Sequence, residues 1–378
     1  MTNPISPVAV PLSQPLTLPL EPVVFPLSWM LSNASSSLQY RTIIDVARLD
    51  LPKEKLASLA LGFPPALRLA LAQSRDGTWN RSILSVPPAH ADVHEGVGTI
   101  PAFRRLLEYG WDREAPPLLH ARRLLFRLLA EDNDPEFLFE LATDVQGDPD
   151  LIHNGRQILR EAAASALAQA GYEGDPRLRG AAQRILDRVD TYLRSPLASK
   201  PWVRVGNKQI LAPEAAPPSI HVLTMVAHMP LFRSEHYSQI EHLFAWVSQP
   251  LPRQEAQQLV GRHVVAQPQL VLGDLLPNRN VADADVPFAM VWLELMARLQ
   301  FLRRNETWLG LYERFLDDRD RDYVWHPHRG LAMPQSTNPA VWPLFPLESA
   351  ASGEQRWSDV NFRLGLIARL LGRTIQLV

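Results

Sequence analysis

Two histidines and two carboxylates fall within six residues at His90-Ala-Asp92-Val-His94-Glu95. Imidazole and carboxylate groups at that density can exchange protons or hold a polar ligand. On a helix, His90 and His94 would stand one turn apart on one face and aim at one metal ion. Pro87 and Pro88 before the segment, and Gly96 and Gly98 after it, predict a loop instead. Ligand-contacting residues concentrate on loops, so His90, Asp92, His94 and Glu95 form the candidate ligand-binding group, with no metal assigned to them.

Two further clusters follow late in the chain. Asp317-Asp-Arg-Asp-Arg-Asp322 has the carboxylates for a divalent cation, but Arg319 and Arg321 neutralise them, and the run predicts a solvated, salt-bridged turn. His326-Pro-His328 pairs two imidazoles across a proline that enforces an extended backbone and does not aim both at one point. Ten tryptophans could offer ring faces to a cation, and most are expected in the core. The chain has no cysteine, which excludes disulfides, thiolate metal sites and cysteine nucleophiles. Neither a phosphate-binding glycine loop with a lysine nor a Gly-x-Ser-x-Gly elbow is present. No cofactor is implied.

The elements that must position these residues are helical. Leu56, Leu59 and Ala60, then Leu67, Leu69, Ala70 and Leu71, mark two short helices separated by Gly62 and Pro64-Pro65. Ile100, Phe103, Leu106 and Leu107 form the next stripe, and Leu118 to Leu129 another opened by Pro116-Pro117. Asp148-Pro149 and Asp175-Pro176 each place a capping side chain before proline at the first helical position. Further helices are expected over 220 onward, 240–247, 255–265, 288–301, 308–316 and 359–371, roughly a dozen in all. The only strand signal is a hairpin of 202–205 and 209–211 about Gly206-Asn207, inside a Pro- and Gly-rich stretch, 196–218, that is a candidate division between lobes.

Residues 1–26 carry seven prolines among Leu and Val and no helical period, which predicts an extended arm suited to lying along the body or along a second copy of the chain. Residues 27–378 are then one helical domain. With 38 basic and 40 acidic side chains and no long run of one sign, no nucleic-acid partner is expected. Arg outnumbers Lys 34 to 4, for which compositional bias is the simpler account than anion binding. No stretch suits a membrane span, and the missing basic leader makes a cytoplasmic location the expectation.

Leu69-Ala-Leu-Ala-Gln73-Ser-Arg-Asp76-Gly77-Thr-Trp79 is the most specific segment. Its Gln, Gly and Trp at that spacing, after an aliphatic residue, resemble the repeat of squalene cyclases and related terpenoid cyclases. A partial echo stands at Ser352-Gly-Glu-Gln-Arg-Trp357. The resemblance implies an all-α fold, an (α/α) toroid of inner and outer helices in which Gln73, Gly77 and Trp79 tie neighbouring helices together. It also implies a central cavity for an apolar, isoprenoid-type small molecule. Class II members protonate an alkene with the middle Asp of Asp-x-Asp-Asp; Asp283-Ala-Asp285-Val286 matches its first two acids, which would make Asp285 the acid and Asp283 its partner. Read from position alone, Asp285 precedes Val286-Pro287 and a long apolar helix, where a capping Asp is expected. The alternatives are an α-solenoid of HEAT type, suggested by Arg160 to Leu167 followed by Asp175-Pro-Arg, and a non-catalytic scaffold or protein-interaction module.

Overall fold

The computed structural model of the chain describes residues 20–87, 94–130, 135–327, 338–348 and 357–378. The protein is mostly helical, with seventeen α-helices and two small sheets among those residues. The excess over the expected dozen consists of short helices such as Leu27–Asn33 and Pro196–Ser199. No helix among the described residues is long and apolar enough to cross a membrane.

Eleven helices carry the architecture, numbered here in chain order: α1 (Ser36–Arg41), α2 (Lys53–Leu61), α3 (Thr99–Glu108), α4 (Pro116–Leu128), α5 (Pro149–Gln169), α6 (Pro176–Leu193), α7 (Ile220–Ala227), α8 (Tyr237–Val247), α9 (Val286–Arg298), α10 (Glu306–Asp317) and α11 (Ser358–Leu370). The proline signals act as expected. Asp148 Oδ1 accepts from the backbone N–H of Asp150 at 2.9 Å and opens α5, and Asp175 Oδ1 accepts from that of Arg177 at 2.9 Å and opens α6. Helix α1 runs into a π-helical turn, Thr42–Ala47, which ends at Arg48 in the left-handed region.

Two kinds of helix alternate along the chain. Helices α4, α6, α8 and α10 bury one stripe and leave the rest to solvent, as amphipathic helices do. Helices α3, α9 and α11 are buried almost all round, as is the alanine-rich second half of α5. Those buried helices pack on one another in succession: α3 on α5, α5 on α7, α7 on α9, α9 on α11, and α11 on α1 with its π turn. Small side chains at Ala162, Ala163, Ala164, Ala166 and Ala168 permit the close approach of α5 and α7. The succession returns to its start where Ser37 Oγ donates to the Tyr109 carbonyl at 3.1 Å, just past the end of α3.

The sheets are minor. Strands β1 (Val23–Phe25) and β6 (Ile375–Leu377) pair in parallel, Val23 opposite Ile375, so the described end of the proline-rich arm is stitched to the last residues. The expected hairpin forms as β2 (Trp202–Val205) and β3 (Lys208–Leu211), turning at Gly206 with φ +59°. The helix expected over 255–265 is instead a second hairpin, β4 (Gln257–Val260) and β5 (His263–Ala266), turning at Gly261 with φ +55°. Val260, Val264 and Val265 are β-branched, and the glycine interrupts the helical stripe that Leu259 and Val260 imitate. β4 meets β3 in parallel at Leu211 and Gln258, which joins the two hairpins and draws the 196–218 stretch into a four-stranded sheet.

Candidate functional site

Of the described residues predicted from sequence, Asp285, Asp283 and His94 are each engaged in local contacts of their own. Asp285 caps α9: its Oδ1 accepts from the Phe288 N–H at 3.0 Å. Asp283 is exposed and paired with Arg279 at 3.1 Å and Arg314 at 2.8 Å. His90 and Asp92 lie outside the described residues; His94 is partly buried, with Nε2 3.0 Å from the Pro65 carbonyl oxygen and its ring edge-on to Trp342, and Glu95 is exposed. The 317–322 run forms a turn in which Asp320 Oδ1 accepts from the N–H groups of Asp322 and Val324, while Arg319 donates to the Val24 carbonyl at 2.6 Å. His328 is outside the described residues, and no group of three or more potential metal ligands occurs among those within them.

The Gln73–Trp79 segment ties elements together. Gln73 Nε2 donates to the Gly77 carbonyl at 3.0 Å and to that of Pro117, at the start of α4, at 2.8 Å. Gly77, at φ +85°, lies so close to α4 that a Cβ would fall 3.0 Å from the His120 carbonyl. Trp79 is fully buried and its indole N–H donates to the Leu69 carbonyl at 2.7 Å.

Where the buried helices meet, the interior is charged. Arg363 of α11, 0% exposed, reaches Glu108 of α3 at 2.8 Å and contacts Glu294 of α9 through its other terminal nitrogen. Glu108 also accepts from Arg41 at 3.1 Å and from Gln169 at 2.8 Å, and Glu294 from Arg298 at 2.8 Å. Burial alone would raise the Glu108 carboxyl, but Arg363, Arg41 and Arg298 outweigh it and hold it far below the usual range; Glu294 is lowered through Arg363 and Arg298 against the same burial. At one side, Arg105 donates to the carbonyls of Trp342 and Pro346, and Arg363 to that of Leu344, so the 342–346 segment is held by interior guanidinium groups.

Arg104 is served less well than its neighbour: Arg105 also lacks a carboxylate but spends its donors on two carbonyls and the Tyr109 hydroxyl. Arg104 is 4% exposed, and its Nε donates to the Gln169 carboxamide oxygen at 2.7 Å, yet it forms no ion pair with a carboxylate among the described residues. Burial pushes its guanidinium down to about 10, against the partial support of Glu108 and Glu294. Near it, α7 presents His221 and His228, two helical turns apart. Both imidazoles retain some accessible surface but are pushed down to about 3, first by burial and then by the neighbouring charges, Arg104 for His221 and Arg298 for His228. His228 Nδ1 lies 3.0 Å from the Thr224 carbonyl, while His221 Nδ1 is buried with no hydrogen-bond partner among the described residues. Of four arginines (41, 104, 298 and 363) around the two interior carboxylates, with Asp45 engaging Arg41 from the side, Arg104 alone has no carboxylate partner among the described residues.

The sequence carries a signal for these residues that periodicity does not expose. Arg363 stands alone in Val360-Asn-Phe-Arg-Leu-Gly-Leu-Ile-Ala, and Glu294 alone in Val291-Trp-Leu-Glu-Leu-Met-Ala. A single charge in a helix apolar on every side must be paired inside the protein.

No family model matches the chain, and neither a curated protein nor a solved structure does. The site's own chemistry therefore carries the functional reading.

Proposed function

We propose that α1, α3, α5, α7, α9 and α11 are the inner ring, and the even-numbered helices the outer ring, of an (α/α) toroid whose interior binds a compact anionic molecule. The cyclic order of helix contacts supports the ring, and the Gln73, Gly77 and Trp79 ties accord with the terpenoid-cyclase resemblance. The single observation behind the ligand class is Arg104, a buried guanidinium without a carboxylate. An isolated buried charge is costly, and a phosphate, diphosphate or carboxylate would supply the missing partner. His221 and His228, neutral at physiological pH, add hydrogen-bonding groups without adding charge.

In this reading the charged interior is a binding site and its carboxylates are not general bases. Glu108 and Glu294 are committed to arginines and held ionised, which makes them weak proton acceptors. The apolar isoprenoid ligand implied by the resemblance has less support, since it would leave the Arg104 charge without a counter-ion and His221 Nδ1 without a hydrogen-bond partner. Titration calorimetry with inorganic phosphate, diphosphate and citrate tests the reading. Saturable binding that weakens with salt and disappears in Arg104→Gln is expected. Absence of binding by every anion, or full retention in that variant, would overturn it, and tight binding of squalene instead would favour the apolar cavity.

A further inference from the structure

A cleft of about 330 Å³ lies over the first half of α5, between that helix, the 213–217 segment and the β4–β5 hairpin. Its width is fixed by contacts that strap the hairpin to the helix. Gly261 sits so close to α5 that a Cβ there would fall 2.4 Å from Asp150 Oδ2, and His263 Nε2 lies 3.4 Å from Asp148 Oδ2. Farther along, Gln267 donates to Asn154 Oδ1 at 2.9 Å, and Gln258 Nε2 donates to the Ala215 carbonyl at 2.7 Å.

The lining is rich in carboxamides. Helix α5 contributes His153, Asn154, Gln157 and Glu161 on successive turns of one face, and Gln258 and Gln269 stand opposite. At the floor, Glu161 is 6% exposed and accepts from Ser219 Oγ and Arg188. These bonds do not exhaust the groups. Among the described residues Asn154 keeps its side-chain N–H donors, Gln258 and Gln269 keep carboxamide oxygens, Glu161 keeps lone pairs, and the Gln157 and His153 side chains have no hydrogen-bond partner.

Donors and acceptors alternate here; Arg188 offsets Glu161 at the floor, and Asp150 and Glu214 leave the lining with acidic character. An anion would meet Asp150, Glu161 and Glu214, and an apolar molecule would strand the carboxamides. A ligand that both donates and accepts at neighbouring atoms is one bearing vicinal hydroxyl groups. We propose that this cleft binds a neutral polyhydroxylated molecule of monosaccharide or cyclic-polyol size, held by His153, Asn154, Gln157, Gln258, Gln269 and Glu161. The volume falls at the small end of the range for ligand pockets, about 300–1,000 Å³. Glu161 lies eight residues before Gln169, about 12 Å along the helix, so this site is separate from the charged interior and does not rest on it.

Ligand-observed NMR and titration calorimetry on the full chain, with glucose, galactose, mannose and myo-inositol as probes, test the proposal. At least one probe should bind saturably, and Gln157→Leu should weaken it about tenfold, the equivalent of one hydrogen bond of about 1.4 kcal/mol. Arg104→Gln should leave that affinity unchanged, and diphosphate should not displace the probe. If Gln157→Leu fails to fold, His153→Ala, at an exposed position, takes its place and should weaken binding in the same sense. The proposal is overturned if no probe saturates, or if the folded variants bind as tightly as the parent chain.

Discussion

Glu348→Gln should stabilise the protein at alkaline pH and leave it unchanged in acid. Glu348 accepts from the Ser35 N–H at 2.7 Å and from the Ser358 hydroxyl. Asp359, at the start of α11, accepts from the Leu347 N–H at 3.0 Å and from that of Glu348 at 3.2 Å, which brings the two carboxyl groups together. Burial first, and Asp359 second, push Glu348 up to about 7; burial pushes Asp359 to about 6 despite its backbone hydrogen bonds. Above its ordinary range the native protein holds a proton that the unfolded chain has released. Stability from this group is therefore fully present below about pH 4.5 and lost as pH rises through about 7. From 4.5 to about 7, at about 1.4 kcal/mol per tenfold, the loss is on the order of 3 kcal/mol. Glutamine keeps a carbonyl oxygen for the Ser35 N–H and carries no charge to bury. Urea melts of both proteins should coincide near pH 4.5 and diverge by about that amount above pH 8, the variant being the more stable. Curves that stay parallel across the range would refute the raised Glu348 carboxyl.

Arg363→Met should cost about 3–5 kcal/mol in chemical denaturation, because it leaves Glu108 and Glu294 buried beside each other without their common partner. Adding Glu294→Gln to that variant should recover part of the loss. Asp285→Ala should cost about 1 kcal/mol, the value of a helix cap, with Asp283→Ala within about 0.5 kcal/mol of the parent because the Asp283 carboxylate is exposed and Arg314 keeps Asp318. Trp79→Leu should lower stability by about 2–4 kcal/mol, through a lost indole volume and the stranded Leu69 carbonyl, measured by the shift in denaturation midpoint.

Local signals were legible in the sequence, and long-range ones were not. Asp148, Asp175 and Asp285 cap helices because a short acceptor before Pro or an apolar run has few other uses, and the Gly206-Asn207 hairpin follows from turn chemistry alone. The second hairpin was misread because Ala256, Leu259, Val260 and Val264 recur at helical spacing, and only Gly261 and the β-branched residues argue otherwise. The charged interior depends on groups 255 residues apart, Glu108 and Arg363, whose pairing exists only once the helices are packed. In α3 the same Arg104, Arg105 and Glu108 look like the solvent face of an amphipathic helix, which the surrounding helices cover.

The parallel pairing of β1 with β6, beside a last buried helix that supplies Arg363, dictates when this protein can finish folding. A nascent chain still waiting for residues 358–377 lacks the cation for Glu108 and Glu294 and the strand for Val23–Phe25. Its earlier helices can form and pair locally, but their charged faces must stay wet. Cooperative closure therefore waits for residues 358–377, and a chain cut before residue 358 should lose the folded state outright instead of being trimmed by degrees.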